Sequence, residues 1–382
     1  MAKAITRRAP GKILWLGGYS VLERPNISYV TAVNAYVTAT VTPKTGQSVI
    51  LNAPQLGLSA KGTVDKLTGV IDMQVPKELS LLKTAAEVAS RYSSSKGAAI
   101  GGFSITTNND KQFAYAISDG KVVKSGLGTS AAVTVAAVDS ILNLFGENPN
   151  ENDSLHKLSQ ISHSIATGKV GSGFDIAAAT HGSITYVRYS PEIIKGLPLD
   201  YGSNELKDLV GKKWDYSIEK LGLPDSIKMS FANFGESMIT TKAIGSVSEF
   251  KIKDPDTYLD LVNEINHENV AAINALKKII KSDYDSLETF RAAFERGRHL
   301  TKKLGMLSNV GIEPDDCTDL IEKSMKNGAY VAKLPGAGGK DAIAAFSLDA
   351  PSQNNLLEFW KSQKNLNAIE IKEATSGALK SK

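Results

Sequence analysis

The segment Lys124–Ala132, KSGLGTSAA, has the residue types of a phosphate-binding turn. Gly126 and Gly128 permit backbone conformations that other residues resist, so successive amides can point at one anion. The apolar run that follows predicts a helix whose positive dipole end and unpaired N–H groups face the same point. The hydroxyl groups of Thr129 and Ser130 lie where a metal-bound phosphate is expected. The segment therefore predicts a seat for a nucleoside triphosphate.

This turn differs from two well-known nucleotide-binding patterns. No Gly-Lys-Ser/Thr closes it, which excludes a Walker A loop, and the dinucleotide fingerprint would need a third glycine where Ala131 stands. A Gly-x-Gly turn before a helix is also a common structural feature. The chemistry of the segment therefore depends on what the rest of the chain carries.

Three further glycine-bearing segments hold residues that could act on a phosphate. Segment 9–22 carries Lys12, segment 168–175 ends in Asp175, and segment 335–339 is almost entirely Gly and Ala after its proline. Each could be a structural turn, and Asp175 could simply cap the helix expected from residue 176. Together, charged residues held beside glycines indicate a site assembled from loops on a scaffold.

Composition bounds the class of protein. The chain has 382 residues, 42% of them hydrophobic and 22% charged, which is typical of a globular protein of one large or two medium domains. A net charge of +4 is too small to indicate nucleic acid as a partner, and no apolar stretch reaches the length of a membrane span. The single cysteine, Cys317, excludes an internal disulfide and fits a reducing compartment. We expect a cytoplasmic monomer or homodimer with a small-molecule substrate.

Hydrophobic periodicity predicts elements of both kinds. Helices are expected at about 76–94, 131–144, 153–167, 255–281, 286–304, 315–327 and 354–364. Strands are expected at about 29–42, 227–234, 329–334, 342–346 and 368–372, with a hairpin around residues 108–111. The mixture without strict alternation indicates the α+β class. A stretch rich in Pro, Gly and charge predicts two domains, residues 1–190 and 226–382, joined by a connecting segment, 191–225.

In order and content, these segments resemble the motifs of the GHMP kinases. Pro10-Gly11-Lys12 opens the first motif, residues 126–132 form the second, and residues 336–339 form the third. The resemblance spans nearly the whole chain. It implies two mixed α/β domains with the active site in the cleft between them, and it implies the use of ATP and Mg²⁺.

Two segments resemble one branch of this family, the branch that phosphorylates 5-phosphomevalonate. Residues 17–23 read GGYSVLE, where mevalonate kinases and galactokinases usually have Gly-Glu-His, and residues 168–179 are also similar to that branch. The resemblance implies transfer of the ATP γ-phosphoryl group to the phosphate of 5-phosphomevalonate, in isoprenoid precursor synthesis. Mevalonate kinase, a mevalonate-phosphate decarboxylase and a non-catalytic metabolite sensor of the same fold are the alternatives. A sensor should have lost one of Lys12, Ser130 and Asp175, yet all three are present.

The resemblance also implies roles for individual residues. Lys12 would neutralise charge between the donor and acceptor phosphates, and Asp175 would orient Lys12 and the acceptor, or take a residual proton. Ser130 would bind Mg²⁺. The expected ATP contacts are Lys124, Ser125, Gly126, Leu127, Gly128, Thr129, Ser130 and Ala131. The expected acceptor contacts are Tyr19, Lys169, Ser172, Ser237, Ala337 and Gly338.

Two points about charge stay open in the sequence. Several GHMP kinases carry a Mg²⁺-binding glutamate on the helix before the aspartate, but at that spacing this chain offers Gln160, His163 and Ser164. Mg²⁺ is therefore expected to be held mostly by ATP phosphates, water and Ser130. The acceptor phosphate needs cations. Besides Lys169, the candidates near the motifs are Arg24, Arg188, Lys242 and Lys333.

Overall fold

The computed structural model describes residues 3–116, 122–148, 153–195, 197, 201–234 and 240–380. Its helices are α1 (Ser80–Ser95), α2 (Thr129–Leu144), α3 (Asp153–Thr167), α4 (Phe174–His181), α5 (Ser203–Gly211), α6 (Thr240–Lys253), α7 (Pro255–Ile280), α8 (Ser286–Leu307), α9 (Asp315–Lys326) and α10 (Ala350–Ser362). Its strands are β1 (Ile5–Leu16), β2 (Ile27–Pro43), β3 (Ser48–Ala53), β4 (Leu58–Val64), β5 (Ile71–Asp72), β6 (Phe103–Asn109), β7 (Ala114–Ala116), β8 (Val122–Lys124), β9 (Ile184–Val187), β10 (Ser217–Lys220), β11 (Lys228–Asn233), β12 (Val331–Lys333), β13 (Ala342–Ser347), β14 (Asn367–Ile369) and β15 (Leu379–Lys380).

The long strand β2 organises the first sheet. It pairs antiparallel with β1 along most of its length, and on its other side with β9 at one end and β6 at the other. The sheet continues from β6 through β3 and β4 to β5, and β10 extends it beyond β9. Alternate side chains of β2, such as Val37, Ala39 and Val41, are fully buried. Helices α1 to α4 pack against this sheet or each other. Helix α2, which follows the glycine-rich segment, lies directly on β1 and β2.

A second, antiparallel sheet has the strand order β12-β13-β11-β14. Trp360 of α10 and Ile321 of α9 are buried in one of its clusters. In another cluster, Trp15 of β1 stacks on Phe346 of β13 with ring centroids 3.7 Å apart. This contact joins the end of β1 to the second sheet.

The structure confirms the mixed α and β architecture and most of the predicted elements. The hairpin predicted around residues 108–111 is wrong, because β6 pairs with β2 and β3 while β7 pairs with β8. Asp110 explains the difference. Its backbone N–H donates to the carbonyl of Tyr36 and its carboxylate accepts from the N–H of Tyr36, so the polar turn is bonded to β2.

The segment predicted as a connector, 191–225, contains helix α5 and strand β10, which the sequence patterns did not indicate. Strand β10 pairs with β9, and α5 packs on α1. At the other end of the chain, β15 pairs with β1. The domain boundaries themselves stay a prediction. In the described part of the chain, no helix combines the length and the apolar character needed to cross a membrane.

Candidate active site

The glycine-rich turn of residues 124–128 (the phosphate turn) leads directly into α2. Gly126 and Gly128 have φ values of 78° and 85°, in the region that favours glycine, and Gly128 is the N-cap residue of the helix. A Cβ at Gly128 would lie 3.0 Å from Cε of Lys12, so the glycine also allows a close approach. Ser130 lies in the first turn, where backbone N–H groups have no acceptor within the helix. The local geometry is that of an anion-binding turn.

Three consecutive carbonyl groups of this turn are bonded to neighbouring groups. The carbonyl of Ser125 accepts from the Asn233 side chain, that of Gly126 from Lys12 Nζ at 3.0 Å, and that of Leu127 from the Lys12 backbone N–H at 2.8 Å. In a trans peptide the C=O and the following N–H point in opposite directions. The amides that follow these three carbonyls therefore point away from the groups that bind the carbonyls.

The charges of two carboxylates act on Lys12. It lies on β1 just after an irregularity between Pro10 and Gly11. Burial lowers the pKa of the Lys12 ammonium, while the charges of Asp175 and Asp341 raise it. Burial raises the pKa of the Asp341 carboxyl, and Lys12 opposes this shift. A cation thus lies beside the phosphate turn and is supported by acids from two different parts of the chain.

Asp175 lies in the first turn of α4, which begins at Phe174. The N-cap residue is Gly173, so Asp175 does not take the cap position that the sequence left open for it; its carboxylate accepts from the next backbone N–H, that of Ile176, at 2.9 Å. Gly173 has φ 79°, and a Cβ there would lie 2.8 Å from both Gln160 Nε2 and the Tyr186 hydroxyl. The cap position therefore favours glycine, and Asp175, two residues later, lines the adjoining cavity.

A cavity of about 340 Å³ adjoins Asp175. Four of the predicted acceptor contacts line it together with Asp175: Tyr19, Lys169, Ser172 and Ala337. Gln160, His163 and Ser164 of α3 also reach it, and apolar walls come from Leu14, Val21, Leu22, Val170, Phe174 and Ile244. An apolar pocket with a few convergent polar groups is typical of a small-molecule site.

Tyr19 joins the first and third glycine segments. It lies in a short 3₁₀ turn, Gly18–Leu22, and its hydroxyl donates to the carbonyl of Ala337 at 3.1 Å. Burial raises the pKa of the Tyr19 phenol to about 12, so it stays protonated and remains a donor. Gly17, with φ 119°, makes this turn possible, because a Cβ there would lie 2.6 Å from the Cβ of Ser28.

Not every predicted site residue is seen to line the cavity. Gly338 is buried against Ile312, whose carbonyl oxygen would be 2.2 Å from a Cβ at this position, and it does not line the cavity. Lys124 is exposed at the end of β8. Ser237 lies outside the described residues, as does the side chain of Lys242.

Most of the candidate cations bind protein groups. Arg188 donates to the carbonyls of Leu22 at 3.1 Å and Val170 at 3.3 Å, and so ties two walls of the cavity together. Arg24 pairs with Asp215. Lys333 donates to the carbonyl of Trp15 at 2.8 Å, and burial lowers its pKa to about 8. Lys169 is the candidate cation that lines the cavity.

Two residues beside the phosphate turn were missed from the sequence, Asn233 and Asp341. Asn233 ends β11 and Asp341 directly precedes β13, and the two strands pair with Asn233 opposite Ala342. The position of Asp341 two residues after Gly339 was the available signal. The contact itself arises from strand pairing, which local sequence does not reveal.

The donors at the site fit a nucleotide-bound metal better than a metal held by protein alone. Among the described residues, no group of three or more His, Cys, Asp or Glu side chains is arranged to hold a metal ion. The Ser130 hydroxyl in the first turn of α2 is a hard oxygen donor beside the phosphate turn. Mg²⁺ commonly binds with few protein ligands, several waters and substrate phosphates.

Comparison with known proteins defines the class of this chain. The model of the GHMP kinases N-terminal domain matches residues 80–183, and that of the GHMP kinases C-terminal domain matches residues 275–366. The chain belongs to the GHMP kinases. The relatives that it matches from end to end include phosphomevalonate kinases. That of Saccharolobus solfataricus is 30% identical over 96% of both proteins, and that of Candida albicans is 29% identical over 100% of this chain and 98% of its own.

A solved structure of the same family shares the fold. The Streptococcus pneumoniae phosphomevalonate kinase in complex with phosphomevalonate and AMPPNP superposes with a TM-score of 0.76, covering 98% of this chain and 100% of its own. At 19% identity, this likeness establishes the fold. The two-domain kinase fold implied by the sequence motifs is therefore consistent with family models, relatives and structure alike.

Proposed function

We propose that this GHMP kinase transfers the γ-phosphoryl group of ATP to 5-phosphomevalonate, giving 5-diphosphomevalonate and ADP, and so is a phosphomevalonate kinase. The observation that carries the proposal is the junction of the phosphate turn, Lys12 and Asp175 with a cavity of about 340 Å³. Full-length relatives with this activity in their names support the choice of acceptor.

The chemistry asks little of a base and much of positioning. The second pKa of a phosphomonoester is about 6, so the attacking phosphate oxygen is already anionic near neutral pH. Catalysis then consists mainly of in-line placement and charge neutralisation. Lys12, with its ammonium at the edge of the phosphate turn, neutralises charge between the two phosphates. Asp175 orients Lys12 and keeps it charged.

The phosphate turn holds the nucleotide. Backbone amides of residues 124 and 126–131 and the positive end of α2 bind the ATP phosphates, and Ser130 supplies a hydroxyl ligand for Mg²⁺. The N–H of Ser125 instead donates to the carbonyl of Phe113 at 3.0 Å. When bound, Mg²⁺ neutralises phosphate charge. The carbonyls of Ser125, Gly126 and Leu127 are already bonded away from the seat, so these amides need little rearrangement.

The acceptor occupies the cavity. Lys169 and Ser172 bind its polar groups, the apolar walls contact its carbon skeleton, and Tyr19 with Ala337 closes one side. Ser237 and Gly338 stay proposed contacts on the strength of the resemblance. We also propose a reducing compartment, the cytoplasm, for which the single buried Cys317 is the supporting observation, and a monomer or homodimer.

The alternatives share the nucleotide seat and differ in products. A mevalonate kinase uses the unphosphorylated acceptor, a decarboxylase releases CO₂ and inorganic phosphate, and a sensor turns nothing over. The presence of Lys12, Ser130 and Asp175 around one turn argues against the sensor.

A side-by-side assay separates these functions. ADP release from Mg-ATP is followed with mevalonate and with 5-phosphomevalonate, together with CO₂ and free phosphate. The proposal predicts ADP with 5-phosphomevalonate alone, without CO₂ or free phosphate. ADP with mevalonate instead would assign the sister kinase, CO₂ with phosphate would assign the decarboxylase, and silence with both acceptors would contradict the proposal.

A further inference from the structure

Two side chains at the ends of the central strands of the second sheet reach the phosphate turn. Asn233, at the end of β11, donates to the carbonyl of Ser125. Asp341, next to the start of β13, places Oδ2 only 3.0 Å from where a Cβ on Gly126 would lie. The backbone holds this arrangement, because the N–H of Phe234 donates to the carbonyl of Asp341 at 3.3 Å. The backbone of Asp341 is therefore held beside the turn, with the carboxylate close to Gly126.

A partly buried carboxylate beside a phosphate seat is unfavourable unless a cation pairs with it. The cation placed there is Lys12, whose Nζ donates to the carbonyl of Gly126, the same residue that Asp341 approaches. The negative charges that act on Lys12 are those of Asp175, on α4, and of Asp341, which directly precedes β13. Two carboxylates from different halves of the chain thus stabilise the charge of one ammonium group.

We propose that Asp341 is a positioning residue which, together with Asp175, keeps the Lys12 ammonium charged and in place against the phosphate turn. The catalytic consequence rests on the proposed function, but the effect on Lys12 does not. Because Asp341 belongs to the second sheet, the charge of Lys12 depends on that sheet being seated against the turn. The position of the second sheet thereby affects the charge that Lys12 presents to the transferred phosphoryl group.

The direct test measures Lys12 itself. Competitive acetylation with acetic anhydride over a range of pH, read by mass spectrometry of the peptide containing Lys12, gives the pH at which this amine loses its proton. Removing a nearby negative charge makes deprotonation easier, so Asp341→Asn should lower this midpoint by about one pH unit. An unchanged midpoint in folded Asp341→Asn would overturn the proposal.

A matched control removes a neighbouring carboxylate that does not face Lys12. Asp316 pairs at 2.5 Å with Lys340, the residue that directly precedes Asp341 in the chain. Asp316→Asn should leave the Lys12 midpoint unchanged, and an equal shift in this control would count against a specific role for Asp341. Asp341→Glu, which keeps the charge, should hold the Lys12 midpoint close to that of the parent protein. Asp341→Ser replaces the asparagine variant if the latter does not fold, with the same expected shift.

Two further readouts separate this role from others. The alkaline limb of kcat for ADP formation should move to lower pH in Asp341→Asn by the same amount as the Lys12 midpoint. Binding of Mn²⁺ with ATP, followed by electron paramagnetic resonance, should be unchanged. Weaker Mn²⁺ binding with an unmoved Lys12 midpoint would make Asp341 a metal ligand and overturn the proposal. If 5-phosphomevalonate is not turned over at all, the proposed function fails, yet the acetylation result still decides the role of Asp341.

Discussion

Lys12 is the residue on which the electrostatics of the site converge. Its Nζ touches the phosphate turn, and its charge is opposed by burial and supported by Asp175 and Asp341. In the proposed reaction, this charge would act on the transition state rather than on binding alone.

Replacing Lys12 by methionine keeps the length of the side chain and removes the charge. Because loss of one preorganised charge-stabilising group typically costs about a hundredfold or more in turnover, Lys12→Met should lower kcat by that factor, with a smaller effect on ATP affinity. Steady-state kinetics and a nucleotide-binding titration measure both. Lys340→Met, at an exposed neighbouring lysine, is the control. If Lys12→Met raised only the KM of the acceptor, Lys12 would be a binding residue.

Tyr19 allows a milder change at the same scale. Tyr19→Phe removes the hydrogen bond to the Ala337 carbonyl, which is worth about 1 kcal/mol. We expect the KM for 5-phosphomevalonate to rise about fivefold while kcat stays close to that of the parent protein. Tyr284→Phe, at a side chain that is 55% exposed, should change neither constant. Unchanged kinetics in Tyr19→Phe would show that the bond does not shape the cavity.

At the scale of elements, the start of α4 depends on Gly173. Alanine there would be strained by the positive φ and would collide with Gln160 and the Tyr186 hydroxyl. Gly173→Ala should therefore lower the free energy of unfolding by about 1–3 kcal/mol and reduce turnover, since it shifts the turn that carries Asp175. Gly211→Ala, where a Cβ meets nothing within 4 Å, is the matched control. Equal stability of the two variants in urea would contradict this reading of the cap.

Helices α3 and α4 bury a pair of histidines. The rings of His156 and His181 lie 5.3 Å apart, and neither ring nitrogen of His156 has a hydrogen-bond partner among the described residues. Burial lowers the pKa of His181 to about 4, with Lys220 adding to the effect and Asp153 opposing it. Burial, His181 and Lys157 also lower the pKa of His156.

This pair predicts an acid-sensitive fold. Between pH 4 and pH 6.5 the unfolded chain binds more protons than the folded protein, so stability rises with pH over this range and is lost on acidification. Urea unfolding at pH 7 and pH 5 should show the loss, and His181→Gln should reduce it by roughly 1–2 kcal/mol. His267→Gln, at an exposed histidine, should leave it unchanged. The same pH dependence in His181→Gln as in the parent would contradict the assignment.

Local patterns predicted some elements well and others not at all. The helices α7 and α8 were predicted close to their observed bounds because each carries a long amphipathic stripe. The strands β9 and β10 were missed because they are four residues long, too short to show a period. The predicted hairpin was wrong because Asp110 binds β2, a partner far away in sequence.

At the scale of the whole molecule, the phosphate turn lies where the two sheets meet. Lys12 approaches it from the first sheet, and Asn233 and Asp341 approach it from the ends of the central strands of the second. The stacking of Trp15 on Phe346 and the bond from Lys333 to the Trp15 carbonyl hold the two sheets together nearby.

This arrangement explains how much of the site the sequence could reveal. Lys12, Ser130 and Asp175 stand beside glycines that the local backbone requires, so short motifs were enough to indicate them. Asn233 and Asp341 reach the turn only through the pairing of β11 with β13. No local pattern reports such pairing.

The central claim is that the phosphoryl acceptor is itself a phosphate. Phosphorus-31 NMR of the protein with Mg-ATP and 5-phosphomevalonate tests it most directly, with Lys12→Met as the control. The phosphomonoester signal should disappear while the two coupled signals of a new diphosphate grow, at a rate much reduced in the control. ADP and free phosphate appearing beside an unchanged phosphomonoester signal would contradict it.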